Sequence, residues 1–270
     1  MKNSCAPLED VQSTKAKHPL AIDKVGIKDF HIPLVVRDLA NEKQHSIAKV
    51  DMSVDLPADF KGTHMSRFIE ALEEWRENSE EKLDYASLKN LLEQVRNKLN
   101  AQKAYLSFNF PYFITKKAPV SHAAAPVSYQ CRFTGEWDKT WDKPAFLIEI
   151  EVPVTTVCPC SKAISKYGAH GQRTYIKMHI KLSKFSWIEE FVHIAEQAGS
   201  APIYAVLKRP DEKFVTEQAY ENAYFVEDVV RTVAYQLDKH EHVEWYTVIV
   251  ESCESIHGHN AFAMIEKNNC

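Results

Sequence analysis

Apolar residues along the chain fall into blocks that alternate every second position and blocks that recur every three or four. Alternation marks residues 28–38 and 45–55 as two strands joined by the polar turn LANEKQ. Met65, Phe68, Ile69 and Leu72 then recur at helical spacing behind Thr63, a residue of N-cap type. A second helical stripe carries Leu88, Leu91, Leu92, Val95 and Leu99. Period two returns in AYLSFNF and VSYQCRF, which put Leu106, Phe108 and Phe110, then Val127, Tyr129, Cys131 and Phe133, on single faces. The order so far is β-β-α-α-β-β.

The second half repeats that order. AFLIEIEVPVTTV (145–157) alternates throughout, and TYIKMHIKL sets Ile176, Met178, Ile180 and Leu182 against Lys177, His179 and Lys181, a strand with one wet face. Helical stripes follow at Ile188, Phe191, Val192, Ala195 and at Val226, Val229, Val230, Val233, Leu237. WYTVIVES and NAFAMIEK close the chain as strands. The pattern predicts an α+β fold of two tandem modules, each an antiparallel sheet with a helix pair on one face. The expected division is a polar, loosely held lead-in over 1–25, one module over 26–140 and a second over 141–270. The boundary falls in the turn-rich TGEWDKTWDKP.

Composition narrows the class. At 270 residues, with 45% hydrophobic and 26% charged positions, the chain has the make-up of a globular protein able to bury a sizeable core. A net charge of −4 supplies no global basic field for nucleic acid or an anionic membrane. No apolar run approaches membrane-spanning length, and the acidic residues near the N-terminus do not suit a secretory signal. Six cysteines are too sparse for a disulfide scaffold, so reduced thiols in the cytoplasm are expected. Seven glycines include no glycine-rich phosphate loop.

Three stretches could carry chemistry. In VCPCSKAISKYGAHGQR, Cys158 and Cys160 flank Pro159, which biases Cys158 toward extended backbone and disfavours a strained bridge between the thiols. His170 follows at the mouth of the next strand; a thiol and an imidazole on neighbouring strand ends suit a zinc-type ion, or both are structural. Cys131, on an apolar strand face, reads as a buried hydrophobe, and Cys5 and Cys270 as incidental. In LKRPDEKFVTEQAYENAYFVEDVVR, Pro210 interrupts the pattern and leaves Asp211 and Glu212 in a turn beside Lys208, Arg209 and Lys213: a carboxylate ligand with phosphate-binding neighbours, or a solvated turn. Glu227 opens a helix, where the dipole favours a carboxylate and where it could also receive a purine edge. In ESIHGHNAF, an extended backbone would project His257 and His259 from one face as metal ligands or proton carriers.

Taken together, GTHMSRF, PVTTVCPCSKAISKYGAHGQR, LKRPDEKFVTE, YENAYFVEDVVR and ESIHGHNAFA resemble, in order and over most of the chain, the type IB GTP cyclohydrolase I family. One departure is Gly171, where asparagine is expected more often after the histidine. The resemblance implies a tunnelling fold, a homotetramer with active sites at subunit interfaces, and conversion of GTP and water to 7,8-dihydroneopterin triphosphate and formate. It implies Cys158, His170 and Glu212 as ligands of a divalent ion (Zn²⁺ or Mn²⁺, with Fe²⁺ also compatible), Glu227 as purine anchor, and His257 and His259 as acid–base groups. Cys160 lies inside the same motif and joins Cys158, His257 and His259 as a candidate catalytic group. Lys61, Arg67, Arg173, Lys208, Arg209 and Lys213 are the cations available for the triphosphate, and His64 either joins the pocket from a neighbouring subunit or caps the helix that follows it. Two other readings fit parts of the pattern: a thiol redox protein using Cys158 and Cys160, and a purine- or pterin-binding module without turnover.

Overall fold

The structure, a computed structural model of the chain, describes residues 10–78 and 83–269; Cys5 and Cys270 lie outside them. Among these residues nine strands form one antiparallel sheet. The first half supplies β1 (Ile22–Asp38), β2 (Glu42–Leu56), helices α1 (Ser66–Asn78) and α2 (Tyr85–Lys98), β3 (Lys103–Lys117) and β4 (Ala124–Asp138). The second supplies β5 (Ala145–Val157), α3 (Pro159–Ile164), β6 (Gly171–Leu182), α4 (Ile188–Ala198), β7 (Ala201–Pro202), α5 (Arg209–Glu221), α6 (Val226–Lys239), β8 (Val243–Ser252) and β9 (Ala261–Asn268). The sheet runs β1-β2-β3-β4-β5-β6-β8-β9, with β7 adding to the end of β5.

The predicted alternation explains the layering. Leu106, Phe108 and Phe110 of β3, Ile148, Ile150 and Val152 of β5, and Ile176, Met178 and Ile180 of β6 join Phe68 and Leu72 of α1, Leu91 and Leu92 of α2, Phe191 of α4 and Val233 of α6 in one buried cluster. The opposite face of the sheet is charged and cross-paired, as in Arg132–Glu149 (3.3 Å) and Lys177–Glu151 (3.4 Å). Strands β4 and β5 pair from Glu136↔Ala145 to Gln130↔Glu151, so the two halves share one sheet.

Polar contacts also cross between the halves. Lys116 of β3 donates to Glu196 of α4 at 2.6 Å and to the Ile203 carbonyl at 2.7 Å, while the Tyr129 hydroxyl donates to the same Glu196 oxygen at 2.7 Å. Burial pulls the Lys116 ammonium below the ordinary lysine range despite its partner.

Several elements differ from the pattern-based expectation. β1 starts at Ile22, pairing with Leu56, so it takes in the end of the expected lead-in. The segment before it is held as well: Thr14 and Gln12 carbonyls accept from Lys61 and Gly62 N–H, and Asp10 lies 3.3 Å from His64. The β1–β2 turn is shorter than LANEKQ because strand pairing continues to Asp38↔Glu42. Helix α1 starts at Ser66, so Thr63 is not its cap. The largest correction concerns Asp211 and Glu212. They occupy the first turn of α5, not a turn, because a proline near the start of a helix initiates it rather than breaking it. No helix among the described residues is long and apolar enough to cross a membrane.

Candidate active site

Strand register brings Cys158 and His170 together. The last rung between β5 and β6 is Val157↔Gly171, so the residues immediately beyond it are Cys158 on one side and His170 on the other. The Cys158 N–H donates to the His170 carbonyl at 3.1 Å. The Ser161 hydroxyl closes the loop, donating to the Cys158 carbonyl (3.1 Å) and accepting the His170 N–H (3.2 Å). Pro159 opens α3 and leaves Cys158 extended at φ −72°, ψ 118° as N-cap, as the Cys-Pro step predicts. The Cys158 Sγ accepts the Ser161 N–H at 3.5 Å, which holds the thiol at the helix start. Cys160, two residues onward, is exposed.

A cleft of about 440 Å³ opens beside this pair. Its floor is the ends of β5, β6 and β8, where buried Thr156 and Thr174 hydroxyls share a hydrogen bond of 2.7 Å and Thr174 donates to Ser252 at 3.3 Å. One wall is the start of α6, with Phe225 and Glu227; the other is the β8–β9 loop with His257, His259 and Phe262. That loop is bent rather than extended. The imidazoles of His257 and His259 nevertheless meet, stacked with centroids 5.3 Å apart and planes inclined by 19°. Cys158, His170, Glu227, His257 and His259, drawn from separate segments, thus line one cavity.

The remaining predicted residues lie outside the cleft lining of a single chain. Glu212 is exposed on α5. It shares a stripe with Val215 and Ala219, which pack with Val157 and Ala169 next to the Cys158–His170 rung. Among the described residues no three His, Cys, Asp or Glu groups of one chain lie close enough to hold an ion. Asp211, beside Glu212, is buried and ties α5 to the β3–β4 hairpin tip, accepting from Val120 N, Ser121 N, Ser121 Oγ and Lys208 N. Burial alone would raise its carboxyl; those hydrogen bonds outweigh it and hold the group well below the usual range.

Lys208, Arg209, Lys213 and Arg173 are exposed near these elements. Lys61, His64 and Arg67 belong to the opposite rim. The register Val54↔Ala104, Lys103↔Asp138, Glu136↔Ala145 places the end of β2 level with the start of β5, whereas the cleft sits at its end. A 13-residue strand is about 40 Å long at ~3.3 Å per residue.

Sequence reasoning missed Gln172 and Glu254, which line the cleft, and Ser161, which closes the loop. Only the strand position of Gln172, two residues past His170, offered a signal for it.

The fold is shared with urate oxidases. The Arthrobacter globiformis uricase matches with TM-score 0.51 and 9% identity over 91% of this chain and 93% of that one. A thermostable Bacillus sp. TB-90 urate oxidase matches with TM-score 0.56 and 10% identity over 92% and 99%. At such identities the likeness concerns the fold alone, the tunnelling fold expected above. Closer relatives are named GTP cyclohydrolase FolE2. That of Nitratidesulfovibrio vulgaris is 56% identical over 96% of both chains. That of Caldicellulosiruptor saccharolyticus is 49% identical over 96% of this chain and 98% of its own. That of Geobacter sulfurreducens is 46% identical over 97% and 98%. The family model "Type I GTP cyclohydrolase folE2" matches residues 8–263, and the chain belongs to that family.

Proposed function

We infer that this chain is a metal-dependent GTP cyclohydrolase I. It adds water at C8 of guanine, opens the imidazole ring, releases C8 as formate and leaves 7,8-dihydroneopterin triphosphate, an entry compound for folate and related pterins. The observation carrying this reading is the convergence of Cys158, His170, Glu227, His257 and His259 on one cleft.

The donors present suit a divalent ion. A thiol sulfur and an imidazole sit on adjoining strand ends, and Glu212 shares a helical stripe with Val215 and Ala219, which pack beside them. Sulfur, nitrogen and carboxylate oxygen together accept Zn²⁺, and the latter two also suit Mn²⁺ or Fe²⁺. When bound, such a cation supplies Lewis acidity that makes water nucleophilic near pH 7. Glu227, in the first turn of α6, is placed to accept the N1–H and 2-amino donors of guanine, with Phe225 and Phe262 flanking the base. Adenine lacks that donor pair and would leave the carboxylate unmatched. His257 and His259, in ring contact, carry protons to and from the purine nitrogens as the ring opens. Cys160 is exposed and is not among the residues lining the cleft.

The triphosphate requires cations. Arg173, Lys208, Arg209 and Lys213 flank the cleft's elements, and Lys61, His64 and Arg67 reach it from a second copy of the chain, since they occupy the far rim of their own sheet. That arrangement supports a homo-oligomer, read here as a tetramer, with shared active sites. Its protomers are two successive modules, 26–140 and 141–270, working in the cytoplasm with reduced thiols.

Purified chain supplied with Zn²⁺, Mn²⁺ or Fe²⁺ and GTP is expected to release formate and to yield a fluorescent pterin after oxidation. Binding of GTP without formate under all three metals would overturn the assignment.

A further inference from the structure

The His170 imidazole has two ring nitrogens, and only one can face an ion. Its Nδ1 lies 3.0 Å from Gln172 Oε1 and 3.3 Å from Ser255 Oγ. On its other side the Gln172 amide donates from Nε2 to Glu254 Oε1 at 3.4 Å. The carboxylate determines how the amide lies. With the amide reversed, its carbonyl oxygen would face the Glu254 carboxylate, two acceptors in contact, and its NH₂ would face Nδ1. The arrangement in which every group is matched therefore has Nδ1 as an N–H donating to Gln172, with the Nε2 lone pair left free. Nε2 makes no hydrogen bond among the described residues.

We propose that Gln172 is the positioning residue for the metal centre: anchored by Glu254, it fixes the ring orientation and tautomer of His170 so that Nε2 is presented to the cation. The inference rests on the metal-dependent reading of the cleft and adds to it a residue that acts through His170 rather than on the ion itself. The backbone supports the role. Gln172 stands on β6 opposite Thr156, one position inside the last rung, Val157↔Gly171, so its amide is carried by the sheet rather than by a loop. Glu254 follows β8, whose last residue, Ser252, pairs with Thr174. The Cys253 N–H donates to the Arg173 carbonyl at 2.9 Å, which continues that ladder up to the anchoring carboxylate. Partners of metal-bound histidines that fix the tautomer typically contribute 10–100-fold in metal affinity.

The test is the affinity of the full-length chain for Zn²⁺ alone, measured by competition with a chromogenic chelator. Gln172→Met, similar in length but without an amide, is expected to weaken binding by about 10–100-fold while the metal-free melting temperature stays near that of the wild type. The double variant Q172E/E254Q exchanges carboxylate and amide, keeps an acceptor for Nδ1–H and a donor behind it, and is expected to recover most of the affinity. If Gln172→Met does not fold, Gln172→Asn keeps the amide but withdraws it by one methylene, and a similar loss is expected. Wild-type affinity in Q172M or Q172N, with loss in His170→Ala, would overturn the role of Gln172 and leave the metal reading standing. Wild-type affinity in His170→Ala would remove both.

Discussion

Replacing Lys116 by methionine tests how strongly the two halves of the chain are tied. The Lys116 and Glu196 side chains are each only 12% exposed, and their 2.6 Å contact sits between β3 and α4. Without the ammonium, Glu196 keeps the Tyr129 hydroxyl as its remaining donor among those contacts, and the Ile203 carbonyl loses its lysine partner. Breaking a buried pair from one side costs about 3–5 kcal/mol, because the surviving charge is left without compensation. In chains of this size each kcal/mol moves Tm by roughly 2–4 °C, so a drop on the order of 10 °C is expected. The double variant K116M/E196L removes both charges. The Ile203 carbonyl is short of its lysine partner in both variants, so relative to the single variant the double exchanges a stranded carboxylate for a buried Tyr129 hydroxyl short of a partner, at about 1–3 kcal/mol. Thermal melts of the three proteins at equal concentration and pH 7 should therefore rank wild type, then double, then single. A single variant melting within 2 °C of wild type (under ~1 kcal/mol), or a double variant melting below the single, would refute the reasoning.

Two further outcomes are expected. Replacing Glu227 by alanine should lower kcat/KM for GTP by about 10³-fold or more, an effect of the size seen when a site loses a hydrogen-bonding group matched to its substrate; steady-state formate assays check this, and a loss under tenfold would remove Glu227 as anchor. Asp138 accepts from the Thr140 N–H and hydroxyl and pairs with Lys103, and these contacts, the Thr140 hydrogen bonds first, lower its pKa to about 2. Because the folded value lies below the unfolded one, the stabilisation is fully present above about pH 4 and fades as pH falls toward 2. Melts across that window should fall more steeply for wild type than for D138N, and parallel profiles would contradict the assignment.

The strands were the most legible part of the fold, since Ile176, Met178 and Ile180 against Lys177, His179 and Lys181 admits only a strand with one wet face. Pro210 misled the reading of α5, because its effect depends on whether it stands at the first turn or in the interior, which residue type alone does not tell. The lining of the candidate cleft was legible where reactive residue types cluster, as in Cys158, His170, Glu227 and the paired histidines. Gln172 and Glu254 were invisible for the opposite reason. Both are ordinary surface residue types, and the role proposed for them arises only where register and the β8–β9 bend set them side by side. The far-rim placement of Lys61, His64 and Arg67 likewise follows from strand pairing and from nothing local in GTHMSRF.

The rung Val157↔Gly171 has a consequence for how this protein can vary. The backbones of Cys158 and His170 are brought opposite each other by the ladder beneath them, so in the thirteen-residue excursion from Cys158 to His170 only the Ser161 tie bears on their spacing. Lengthening or trimming the stretch around Lys166 and Tyr167, exposed and remote from the Ser161 tie, should leave the two donors opposed. Sliding β6 by a single residue would instead turn every side chain on it to the other surface and shift His170, next to its first residue, out of register with Cys158. Evolution and engineering alike are free in the excursion and constrained at the rung.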